Sequence, residues 1–143
     1  MTSYAEIFNL ALESIKDPSL AKWPEEDLNN ELYGWLMRAV RRVPQIRNET
    51  SERDAFDPAN VENLGFTNDL SEVAKEVLVI EMHRAWLAPQ ILSITNVLPR
   101  MSKKEGYSQK EFLDGLVALD EKLKIERKKL LRDDTYIEND YFD

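Results

Sequence analysis

The chain has 143 residues and carries 19 Lys and Arg against 27 Asp and Glu, a formal net charge of −8. That balance argues against sequence-independent nucleic-acid binding, which draws on a basic surface to displace counterions from phosphate. Cysteine is absent, which excludes disulfide scaffolds, cysteine-ligated zinc and thiol catalysis. The length suits one domain, and four Gly and six Pro leave room for long helices.

From the N-terminus, Tyr4, Ile7, Phe8, Ala11, Leu12 and Ile15 form an apolar stripe with helical spacing. Ser3 and Glu6 have the spacing of a capping box, and Asp17-Pro18 ends this first helix. A second stripe, Leu28, Leu32, Trp35, Leu36, Ala39, Val40 and Val43, follows Pro24 and stops at Pro44. From Gln45 to Asn68 the periodicity dissolves, leaving Phe56, Val61, Leu64 and Phe66 as apolar anchors; this reads as a surface excursion, with a short helix near Asn60 to Leu64 as the alternative.

A third helix, capped by Asn68 or Asp69, carries Val73, Val77, Ile80, Met82, Ala85 and Trp86. Residues Val77 to Ile80 are apolar on every side, the mark of central burial. Pro89 is expected to kink or restart the helix, and apolar residues continue to Pro99. Lys75, Glu76, Glu81, His83, Arg84 and Pro89 interrupt Val73 to Leu98, so no membrane span is expected. Met1 to Leu12 has neither the basic start nor the apolar run of a secretory leader, and the expectation is a soluble protein that is intracellular when made.

Arg100 to Gly106 reads as a charged turn. Ser108 with Glu111 is then expected to open a last helix reaching about Arg132, about 35 Å at the helical rise. The fold class is therefore all-α: a bundle of four to five helices at residues 1–132, with a long C-terminal helix, a long acidic loop between helices two and three, and an extended acidic arm at 133–143.

The charges are segregated. Between Leu32 and Asn48 only Arg38, Arg41, Arg42 and Arg47 are charged, whereas Glu49 to Glu72 holds seven acids and one base. Lys122, Lys124, Arg127, Lys128, Lys129 and Arg132 follow with a single acid, Glu126; the last eleven residues then hold five acids and no base. Residues 1–132 contain 19 bases and 22 acids, so the arm supplies most of the net charge. Basic residues near helix ends offset the helix dipole and keep the face solvated. Two basic clusters, each followed by an acidic segment, also suit contacts between copies, which are ring-forming when an arm passes to a neighbour. Tyr136, Tyr141 and Phe142 would anchor such an arm. The expected interface residues are Arg38, Arg41, Arg42, Lys124, Lys128, Lys129, Arg132, Asp133, Asp134, Tyr136, Tyr141 and Phe142.

Site chemistry is sparse. His83 is the sole imidazole and reads as a packed or surface residue, and the carboxylate pairs Asp133-Asp134 and Glu25-Glu26 fall at helix ends, where capping explains them. Glycines at 34, 65, 106 and 115 alone make neither a phosphate loop nor a dinucleotide fingerprint. No catalytic residue, cofactor or metal is expected. Trp35 and Trp86 read as core, and Trp23 as a lid over the start of helix two.

Several segments together resemble small head-tail connector (adaptor) proteins of tailed bacteriophages: Tyr4 to Leu12, Arg38 to Pro44, Trp86 to Ile91, Tyr107-Ser108-Gln109 and Asp134 to Asp140. The resemblance implies a structural protein of the virion neck that passes through the host cytoplasm during assembly. It further implies a helical bundle forming a ring, commonly of twelve copies, that binds the portal and a downstream stopper or tail-completion protein. Channel DNA would pass without specific binding, and the segment from Asp133 to Asp143 would face the portal. Glu49 to Phe66 is longer and more acidic than such a fold needs; it would line the channel or face the next neck protein. A different class of reading, an acidic helical DNA mimic that inhibits a basic enzyme, draws on Asp54, Asp57, Glu62 and Asp69, and is opposed by the two basic clusters. An enzyme using His83 ranks third.

Overall fold

A computed structural model of the chain describes residues 1–133. Five helices carry them: α1 Tyr4–Ile15, α2 Glu25–Arg42, α3 Arg47–Thr50, α4 Glu72–Val97 and α5 Lys103–Asp133. Two short strands, β1 Thr2–Ser3 and β2 Gly65–Phe66, pair antiparallel. The all-α bundle with a long C-terminal helix is thus the observed architecture.

The first helix forms where its stripe places it. Ser3 caps it, its hydroxyl accepting from the Glu6 amide at 3.2 Å. It ends at Lys16, in the left-handed region at φ 55°, one residue before the expected Asp17-Pro18 stop. The helix lies alongside α4 in the same direction, since Glu6 pairs with Lys75 and Ser14 meets His83, eight residues further along each.

Residues 45–68 correct the sequence reading in two respects. No helix forms at Asn60 to Leu64; the short helix is α3, and Asn60 to Leu64 forms turns that lead into β2. Nor is the segment a surface excursion. The Leu64 and Val61 carbonyls accept from the Tyr4 and Ala5 amides at 2.8 and 3.1 Å, so the loop satisfies two of the first free N–H groups of α1. Ile46, Thr50 and Phe66 are buried, and Phe56 stacks on Tyr33 with ring centres 4.0 Å apart. At the centre of this cap Tyr4 is buried among Phe8, Tyr33, Phe56 and Phe66, and donates its hydroxyl to the Asp54 carbonyl at 2.6 Å. Burial pushes the Tyr4 phenol up to about 12. Gly65 is required by close approach: a Cβ there would lie 2.0 Å from the Thr2 carbonyl oxygen.

The helix caps also differ from expectation. Ser71, not Asn68 or Asp69, caps α4 by accepting from the Ala74 amide; Asp69 instead pairs with the Met1 amino group. Ser102, not Ser108, accepts from the Glu105 amide, so α5 begins inside the expected charged turn and is about 46 Å long. Ser102-Glu105 and Ser108-Glu111 both have the spacing of a capping box, and the earlier of the two opens the helix. Pro89 does not restart α4, which runs unbroken for 26 residues.

Two apolar clusters result. The larger joins α1, α2 and the first half of α4, with Tyr4, Ile7, Leu32, Leu36, Val77, Leu78 and Met82 fully buried. The smaller lies between α4 and α5 around Ile80, Leu87 and Leu123. Beyond Leu87, α4 packs chiefly on α5, and this helical hairpin extends past the body with Leu92, Val97, Tyr107 and Phe112 exposed.

Candidate functional site

The most concentrated polar arrangement in the molecule is one that sequence reasoning missed. Glu81 follows the wholly apolar Val77 to Ile80 turn and is itself fully buried. Three arginines from three helices converge on its carboxylate. Arg84 of α4 donates at 2.9 and 3.2 Å, Arg127 of α5 donates at 2.9 Å, and Arg42 of α2 approaches to 3.7 Å. Arg84 also donates to Asp120 of α5 at 2.8 Å. Burial opposes the Arg84 charge, but the Asp120 hydrogen bond and the Glu81 carboxylate hold its guanidinium above the ordinary arginine value. The signal that could have found this site is an acid inside an all-apolar turn with an arginine three residues on: an acid at such a position is paired or it is costly.

Two of the expected interface residues make ion pairs within the chain. Arg42 is turned onto Glu81, and Lys124 pairs with Glu121 at 3.1 Å and Asp120 at 3.7 Å within α5. Both side chains keep more than 40% exposure while making these pairs. Lys128, Lys129 and Arg132 are all exposed, and Lys129 and Asp133 line a groove of about 550 Å³ with Leu10, Lys75, Glu76 and Leu130. Asp133 is helical and is the last of the described residues. Asp134, Tyr136, Tyr141 and Phe142 lie outside the described residues.

On α2, Arg38 and Arg41 stay exposed, with no ion-pair partner among the described residues. They border a second groove, of about 440 Å³, between α2 and α4. Its α2 wall is Asn30, Glu31, Gly34, Trp35, Arg38 and Arg41; its α4 wall is Ala85, Ala88, Pro89 and Leu92. Small residues open it: a Cβ built on Gly34 meets nothing within 4 Å. Trp35 is half-buried, packed against the core on one side and lining the groove on the other, and Trp23 is exposed.

The acids that suggested a DNA mimic are mostly engaged within the fold. The Asp54 carboxylate accepts from the Gly65 amide at 3.0 Å, that of Asp57 from the Ala59 amide at 3.0 Å, and Asp69 holds the Met1 amino group. Of the four, Glu62 stands at the surface without such a bond. His83 is buried beside Trp86, with Nδ1 at 3.2 Å from the Ser14 hydroxyl, and burial lowers its pKa. Among the described residues no carboxylate hydrogen-bonds that ring, and no group of three or more His, Asp or Glu is placed to hold a metal ion. No described helix is long and apolar enough to cross a membrane.

Comparison with models of known families, with curated proteins and with solved structures finds no match.

Proposed function

We propose that this chain is a structural assembly protein of the bacteriophage neck, a head-tail connector that binds the portal and copies of itself and extends the DNA channel toward the tail. The observation that carries the reading is the division of charge on a helical body. Arg38 and Arg41 are exposed on α2 with no ion-pair partner among the described residues, Lys128 and Arg132 are exposed on α5, and an acidic, aromatic C-terminal segment follows in the sequence. Such a body offers complementary surfaces at different places, which suits head-to-tail repetition and not a two-fold pairing. The resemblance of Tyr4 to Leu12, Arg38 to Pro44 and Trp86 to Ile91 to head-tail connectors supplies the virion setting.

The DNA-mimic reading is weaker, because three of its four acids are already engaged within the fold. The test is attachment. Purified portal-bearing, DNA-filled heads are incubated with the full chain and sedimented, with portal-free capsids as control. Co-sedimentation with the portal-bearing heads alone is expected; equal recovery with both, or with neither, refutes the proposal.

A further inference from the structure

Among the surfaces, the groove between α2 and α4 combines features the other grooves lack. Its walls offer an aromatic face at Trp35 and apolar side chains at Ala85, Ala88, Pro89 and Leu92, with Leu92 60% exposed. Its edge carries Arg38 and Arg41 without ion-pair partners among the described residues, with Glu31 as its one acid. A ligand matched to this lining is acidic and aromatic.

The chain itself contains such a segment. Residues 134–143, DTYIENDYFD, hold four acids, two tyrosines and a phenylalanine within ten positions. We propose that the α2–α4 groove is the socket for residues 134–143 of a second copy of this chain. The inference deepens the proposed function: it rests on the self-assembly half of that reading and is independent of the virion setting.

Placement favours a neighbour's segment over the chain's own. Asp133, the last of the described residues, lies against the first half of α4, in the groove with Glu72, Lys75, Glu76 and Val79. At about 100° per residue, these positions and Ala85, Ala88 and Leu92 fall on opposite faces of α4. Glu76 and Ala88 are also about 18 Å apart along the axis. The chain's own segment would have to wrap around the body, whereas a translated neighbour presents it directly. Folding back beside Lys129 is disfavoured too, because that groove carries Glu72, Glu76, Glu126 and Asp133 against Lys75 and Lys129. Since groove and segment are different surfaces, the contact repeats head to tail and closes as a ring when the rotation permits.

The cysteine-free sequence allows a direct test with full-length chains. Leu92→Cys and Tyr141→Cys variants are mixed and oxidised, with Ser51→Cys replacing Leu92→Cys as the collisional control. Expected is a crosslinked heterodimer well above the control, and an intermolecular ladder from a chain carrying both cysteines. Adding Arg38→Glu and Arg41→Glu should slow crosslinking roughly tenfold, each exposed charge being worth a factor of about 1.5 to 5 and its reversal adding repulsion. Gly34→Leu, which fills the groove where there is open space, should block it while circular dichroism stays native. Crosslinking no faster than the control, an intrachain disulfide in the doubly substituted chain, or indifference to the arginine reversals would each overturn the proposal. Attachment to portal-bearing heads is scored separately, so chains that crosslink but do not attach refute the neck reading and leave the socket standing.

Discussion

Replacing Glu81 by Ala removes the one carboxylate shared by α2, α4 and α5. Arg84 loses bonds of 2.9 and 3.2 Å and Arg127 one of 2.9 Å, while Arg42, at 3.7 Å and 42% exposed, loses little. Hydrogen bonds to charged groups are worth about 1.5–3 kcal/mol each, and an exposed pair at most about 1 kcal/mol. The sum is not additive, because Arg84 and Arg127 keep 13% and 29% exposure and partly rehydrate. The expected loss is about 3–4 kcal/mol, near the range for removing one partner of a buried ion cluster. Against a typical domain stability of about 5–15 kcal/mol, this lowers Tm by roughly 10–15 °C. Urea unfolding followed by tryptophan fluorescence and far-ultraviolet circular dichroism measures it. Lys124→Ala, which removes an exposed pair, is the internal control at about 0.5 kcal/mol or less. Replacing Glu81, Arg84 and Arg127 together by Leu, Met and Met should recover much of the loss, since apolar substitution leaves no charge unpaired. A loss below about 1 kcal/mol for Glu81→Ala, or one equal to that of Lys124→Ala, refutes the assignment of a buried clamp.

Gly65→Ala drives a Cβ into the Thr2 carbonyl and should cost about 1–3 kcal/mol in thermal unfolding, with loss of protection of the Tyr4 and Ala5 amides in hydrogen exchange. Tyr4→Phe removes the bond to Asp54 and should cost about 0.5–1.5 kcal/mol near neutral pH. The folded Tyr4 phenol titrates at about 12 against a reference of 10.0, so the wild type loses stability as pH rises between those values and the variant lacks that loss. The folded His83 pKa lies below its reference of 6.5, so the unfolded chain binds the extra proton as pH falls through 6.5. Stability should decline there, and His83→Gln should flatten the decline in urea titrations at successive pH values.

Helical period was enough to read α1, α2 and the buried turn of α4, because each rests on a stripe repeated over several turns. The mini-sheet was not legible, since strands of two residues have no period to detect. The packing of residues 45–68 was hidden for a related reason: its hold on α1 is made by backbone carbonyls, which every sequence possesses. Competing caps misled at both later helices, where two local solutions existed and tertiary packing chose between them. At the candidate site, arginine clustering marked α2, but which arginine is drawn inward depended on Glu81, about forty residues away. Counting charges along the chain treats Arg38, Arg41 and Arg42 alike; their positions around one helix separate them.

The unbroken course of α4 through both the body and the projecting hairpin has a mechanical consequence. Its N-terminal half is the central element of the bundle, its C-terminal half is one leg of the hairpin, and no loop separates them at Pro89. A load applied at Leu98–Arg100 is therefore carried along about 26 Å of one continuous helix to the Glu81 clamp. The tip and the body turn together, so whatever grips one end sets the angle at which the other is presented.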